Sequence, residues 1–278
     1  MKRIGRISAL VRVVGSLALI ATVPLTTAGD WPTYLHDSNR TGTSQDETTL
    51  TAGNVARLTQ RWSYSAGGPI AASPAIVGGT VYVGSWDGYE YALDANSGSL
   101  KWKTFLGQTT APNCQPSLAG ITSSATVQNG VVYVGGGDAY WYALNAANGS
   151  VLWKVYTGDN SATSGHYNWS SPLIYNGYAY IGVAGNCDSP LAQGQLLQVD
   201  LTTHQVVNTY NAVPNGQIGG GIWTSPSIDA STNTIYVTTG TKGDPSQTQS
   251  QAIVALDAGT LKVKSYWQLP DSQAVGDS

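Results

Sequence analysis

Few side chains in these 278 residues combine a useful type with a useful spacing. His166, Asn168 and Trp169 fall within four consecutive positions, and Trp223 follows closely on the glycine run 219–221. An imidazole, an amide and two indoles could together grip a flat, polar ligand, the rings by stacking and the others by hydrogen bonding. The same residues also fit a plainer role, with the tryptophans filling a narrow neck and His166 bonded within its own loop. The two cysteines, Cys114 and Cys187, form no Cys-x-x-Cys pair and have no histidine at ligand spacing, so they point to neither zinc nor a c-type haem. No general base and no metal ligand can be named from the sequence. Asp87 and Asp138 recur at equivalent turns, where an aspartate ordinarily hydrogen-bonds its own backbone.

The elements that must hold these residues come from an internal repeat. Residues 70–107 and 121–158 agree nearly position for position: Tyr82 with Tyr133, Asp94 with Asn145, Gly98 with Gly149, and Trp102 with Trp153, 51 residues later. Two weaker copies, about 168–214 and 222–270, keep a serine at the same place, so Ser73, Ser124, Ser171 and Ser225 follow one another at intervals of 51, 47 and 54. In the first copy, period-2 alternation predicts strands at 71–77, 80–85, 89–94 and 99–105, with Gly78-Gly79, Asp87-Gly88 and Asn96-Ser97-Gly98 as turns. Four antiparallel strands cannot bury both faces alone. A period near 50 therefore predicts an all-β propeller of four-stranded blades stacked side by side, with four blades present. The loops leading into the inner strands ring the central funnel of such a fold, and His166, Asn168, Trp169 and Trp223 belong to those loops.

The run Ala92-Leu93-Asp94-Ala95 with Gly98 and Trp102, and its copy from Ala143 to Trp153, resembles the tryptophan-docking repeat of pyrroloquinoline quinone (PQQ) propellers. Asp30-Trp31-Pro32 with Asn39-Arg40-Thr41-Gly42 resembles the start of such chains, and the repeats resemble those of polyvinyl-alcohol-dehydrogenase-like quinoproteins. Asn208 and Ser265 stand where the docking tryptophan would recur in the third and fourth copies, so those interfaces must use other residues. The resemblance implies rings of seven or eight blades, of which this chain would supply four; a complete short propeller is the alternative. It also implies PQQ as cofactor, calcium polarising it, and oxidation of a small or polymeric alcohol. His166, Asn168, Trp169 and Trp223 would then be cofactor-binding, with the catalytic and metal-binding residues unassigned. The alternative is a non-catalytic propeller that binds a polysaccharide, polymer or protein at its funnel face, for which Trp86, Tyr89, Tyr140 and Trp141 would suit sugar stacking.

Residues 1–28 read as a secretory leader: Lys2, Arg3, Arg6 and Arg12, then an apolar run too short to span a bilayer, then a small-residue exit. The expected location is secreted or periplasmic, with no membrane span after cleavage. Thirteen Lys and Arg, four of them in the leader, stand against sixteen Asp and Glu, which makes residues 29–278 acidic and nucleic acid a poor partner. In a secreted chain thiols are normally oxidised, and loops holding Cys114 and Cys187 emerge on the same face of neighbouring blades, so a disulfide is expected; two isolated thiols are the alternative. Residues 48–58 could form a helical turn. Residues 61–65, with Trp62, read as an orphan outer strand that lacks the three strands before it.

Overall fold

The computed structural model describes residues 29–45, 47 and 49–270; residues 1–28, where a secretory leader is expected, and residues 271–278 lie outside them. Its core is four antiparallel sheets of the expected kind. Blade 1 comprises β1 (Ala75–Val77), β2 (Thr80–Gly84), β3 (Tyr89–Asp94) and β4 (Leu100–Phe105). A small hairpin, β5 (Thr109–Thr110) with β6 (Leu118–Ala119), leads to blade 2: β7 (Thr126–Gln128), β8 (Val131–Gly135), β9 (Tyr140–Asn145) and β10 (Val151–Tyr156). The short β11 (His166–Tyr167) pairs with the upper end of β13 in blade 3, which comprises β12 (Leu173–Tyr175), β13 (Tyr178–Gly185), β14 (Gln195–Asp200) and β15 (Val206–Asn211). Blade 4 comprises β16 (Ser227–Asp229), β17 (Thr234–Thr238), β18 (Ala252–Asp257) and β19 (Val263–Gln268).

Register explains the repeat. Tyr82, Ala92 and Trp102 lie side by side across three strands of blade 1, and Tyr133, Ala143 and Trp153 do so in blade 2. These faces bury against the next blade, giving one apolar layer between blades 1 and 2, another between 2 and 3, and a third between 3 and 4. Asp94, Asn145, Asp200 and Asp257 each open the turn before the outer strand by accepting the amide of the residue two positions on. In blade 4 the equivalent face leaves Tyr236, Ile253 and Trp267 respectively 41%, 48% and 56% exposed, so no further blade covers it among the described residues.

The docking contacts are specific. The Trp102 Nε1–H donates to the carbonyl of Ala146 (2.9 Å), and its ring lies over Gly149, whose φ of +72° no side chain favours. In blade 3 the corresponding turn carries His204, and Trp153 stacks flat on its imidazole at 4.4 Å. At Asn208 the tryptophan is replaced by a polar cluster: Asn208 donates to Gln198, and Gln198 and Tyr180 both donate to the Ala258 carbonyl. The four aligned serines also connect the blades, because the amides of Ser73, Ser124 and Ser171 donate to the hydroxyls of Ser124, Ser171 and Ser225 respectively (2.8–3.0 Å).

That chain of bonds shortens the inner strands relative to expectation. Residues 71–74 form no ladder, since the Ser73 amide turns to the neighbouring blade and Pro74 has no N–H to give. Residues 61–65 are not a strand either, as no sheet among the described residues includes them. Trp62 nevertheless docks on blade 1 as Trp102 docks on blade 2, donating to the Ala95 carbonyl (2.9 Å) and lying over Gly98. The expected helical turn is a single 3-10 turn, Val55–Arg57.

Candidate functional site

Loops from outer to inner strands, and from second to third strands, meet at one end of the blades. The glycines at 219–221 let the strand leading into blade 4 press against those loops: the Gly194 amide donates to Gly219 and the Gly220 amide to Thr241. Trp223 follows directly, lying 3.3–3.5 Å from the space a side chain at Gly240 would need. It is 55% exposed. Trp169 is held by its Nε1–H on the Gly185 carbonyl (3.0 Å) and by an edge contact with Tyr167.

Cys114 and Cys187 form the expected disulfide, with Cα atoms 6.0 Å apart. It ties the loop closed by the β5–β6 hairpin to the loop between β13 and β14. Trp169, Trp223 and the disulfide line one open depression of about 910 Å³. Asp188 lines it too, its carboxylate accepting a hydrogen bond from the Thr241 hydroxyl (2.7 Å). Asn113 and Gln115 line it as well.

Of the four residues singled out from sequence, two line this depression. His166 lies aside, its ring donating to the Asp159 carbonyl and packed over Gly158. Asn168 is buried, and its amide nitrogen donates to the carbonyls of Tyr140, Asp138 and Gly136, closing the turn between β8 and β9. Sequence reasoning missed Asp188 and Thr241. The cysteine just before Asp188 was the only signal available, and Thr241 gave none.

The other aromatics serve packing. Trp141 is fully buried between blades 2 and 3. Tyr89 and Tyr140 sit at the blade rims beneath Lys103 and Lys154, with ammonium-to-ring distances of 4.4 and 3.8 Å. Trp86 donates to the Thr122 hydroxyl, which meets the Tyr167 hydroxyl. Asp87 and Asp138 do cap their own turns, receiving the Tyr91 and Tyr142 hydroxyls and the amides of Tyr89 and Tyr140. Burial pushes both carboxyls up and those hydrogen bonds pull them down. Burial prevails at Asp138, and the bonds prevail at Asp87. Among the described residues no three His, Cys, Asp or Glu side chains cluster as a metal site, and no helix is long and apolar enough to cross a membrane.

A repeat family designated PQQ_2 and described as outer membrane protein assembly factor BamB matches residues 18–275. The chain belongs to that family. This PQQ-type propeller is similar to a polyvinylalcohol dehydrogenase from a Pseudomonas species, 24% identical over 77% of this chain and 37% of the relative. It is also similar to a quinohemoprotein alcohol dehydrogenase from Comamonas testosteroni, 26% identical over 86% of this chain and 39% of the relative. The crystal structure of a quinohemoprotein alcohol dehydrogenase from that species superposes with a TM-score of 0.70 at 25% identity, over 86% of this chain and 41% of that one. BamB from Moraxella catarrhalis shares the fold, with a TM-score of 0.55 at 18% identity over 75% of this chain and 56% of that one. The PQQ-type propeller thus spans about two fifths of the length of the two curated dehydrogenases.

Proposed function

We propose that this chain is part of an extracytoplasmic quinoprotein that binds PQQ at the depression between Trp169, Trp223 and the Cys114–Cys187 bridge and oxidises an alcohol there. One observation carries the reading: a disulfide and an exposed indole, from three different loops, face a single opening beside a carboxylate. The reading is supported by the lining of that opening, where an indole and a polarisable disulfide are the groups against which a flat aromatic ring would pack. Asn113 and Gln115 offer amide donors to carboxylates on such a ring.

The fit to calcium is partial. Asp188 and Thr241 offer adjacent oxygens, whereas calcium takes six to eight, so no step is assigned to the ion. Bound PQQ would supply the two-electron acceptor for hydride leaving the alcohol carbon. The chain's own contribution is to orient the ring on Trp223 and to hold the disulfide loop against it. Similarity to dehydrogenases of alcohols supports the substrate class, and the leader-like residues 1–28 support the location.

The test is dye reduction by the protein that contains this chain, supplied with PQQ, calcium and primary or polymeric alcohols. Reduction should require both additions and fall at least tenfold in Trp223→Ala and Asp188→Ala, about the value of one good contact. No reduction at saturating PQQ and calcium would overturn the enzyme reading in favour of a funnel-face binding module.

A further inference from the structure

The N-terminal segment runs inside the blades rather than beside them. Trp31 exchanges both backbone hydrogen bonds with Ile76 of blade 1, the Pro32 carbonyl accepts the Val127 amide of blade 2, and the Ser38 carbonyl accepts the Ile228 amide of blade 4. Arg40 closes this path. Its Nε–H donates to the Pro226 carbonyl (3.0 Å) and Nη2 to the Pro172 carbonyl (3.1 Å), while Nη1 donates to Tyr34 and to the Thr33 hydroxyl. Thr33 in turn meets Thr126, whose hydroxyl donates to the same Pro172 carbonyl, so the network is a closed ring.

The two prolines are informative because of what precedes them. Pro172 stands three residues after Trp169, and Pro226 three residues after Trp223. One rigid guanidinium therefore bridges the two segments that carry the indoles and lead into β12 and β16. We infer that Arg40 is a positioning residue, setting the spacing between the Trp169 and Trp223 segments and hence the width of the ring-binding opening; the functional part of this inference rests on the proposed cofactor site.

Two features support it. Leu35, His36 and Arg40 all hold positive φ values (53°, 77° and 60°), a conformation that persists in non-glycine residues only where surrounding contacts enforce it. A planar fork also suits two carbonyls at a fixed separation in a way that the point charge of a lysine does not. The guanidinium stays charged at neutral pH, with burial drawing its pKa down to about 10 against the pull of Asp37 and Tyr34.

The experiment compares Arg40→Lys, the milder Thr33→Val, and Trp102→Phe as a control that weakens a different blade contact. Two readouts are taken: PQQ affinity and hydrogen exchange resolved along the chain. Arg40→Lys should weaken PQQ binding about tenfold. It should also speed exchange at the amides of Ser171 and Ile222 while leaving β3 and β4 unchanged. Thr33→Val should show the same pattern at smaller size. Equal loss of PQQ affinity in Arg40→Lys and Trp102→Phe variants of matched melting temperature would overturn the inference, as would a uniform rise in exchange. If the unaltered protein takes no PQQ, the cofactor reading fails, and exchange alone decides: a rise confined to the two tryptophan segments upholds positioning, and any other pattern refutes it.

Discussion

Gly149→Ala tests whether the tryptophan-docking contact holds the blades together. The substitution adds a Cβ that would lie 2.5 Å from Trp102 Cε3 and 2.6 Å from Thr104 Oγ1, at a φ of +72°. Left-handed backbone costs about 1–2 kcal/mol for a residue with a side chain. The lower entropy of the unfolded alanine chain returns about 0.4–1 kcal/mol. Trp102 is 8% exposed, so overpacking adds about 1–3 kcal/mol and displacement of its Nε1–H from Ala146 about 1 kcal/mol. The expected loss is about 2–5.5 kcal/mol, or a melting temperature lower by roughly 4–22 °C in a chain of this size. Urea melts of Gly149→Ala, Trp102→Phe and the double variant should give a coupling above about 0.5 kcal/mol, because the two residues touch. A loss under about 0.5 kcal/mol for Gly149→Ala, or strict additivity, would refute docking as the source of blade cohesion. His204→Gly supplies the contrast, since it relieves a φ of +60° while removing a stacked ring, and it should cost less.

Glu90 is fully buried between blades 1 and 2 with no protein hydrogen-bond partner for either oxygen, and burial holds its carboxyl well above the usual range. The unfolded chain loses that proton near pH 4.3, so folding becomes less favourable by about 1.4 kcal/mol per pH unit above that point until the folded carboxyl ionises. Glu90→Gln should therefore match the natural protein near pH 4 and exceed its melting temperature increasingly as pH rises; a pH-independent difference would contradict the burial. The exposed face of blade 4 should make residues 29–278 self-associate. Sedimentation should show less association for Trp267→Lys, and a monomeric unaltered chain would rule this out.

Periodicity made the blades legible because side chains at the same register meet the same neighbours: the spacing of Tyr82, Gly98 and Trp102 already encodes the interface. The aligned serines were legible as a repeat, but their bonding from blade to blade was not, since one hydroxyl carries no direction in a sequence. Loops behaved differently. His166 and Asn168 have the types a binding site needs, yet the Asp159 carbonyl holds the His166 ring and the Tyr140 carbonyl holds the Asn168 amide nitrogen away from the depression. Asp188 and Thr241 are 53 residues apart and share no motif, so only the fold brings them together. Arg40 was legible as part of a resemblance, but its reach to Pro172 and Pro226 depends on a segment threading four blades.

The most direct measurement is calorimetric titration of PQQ, with calcium present, into the chain and into Trp223→Ala. The expected result is a single saturable site per chain whose heat disappears in the variant and survives in Trp102→Phe. Absence of saturable binding, or equal affinity in Trp223→Ala, would contradict a cofactor site at the Trp169–Trp223 opening.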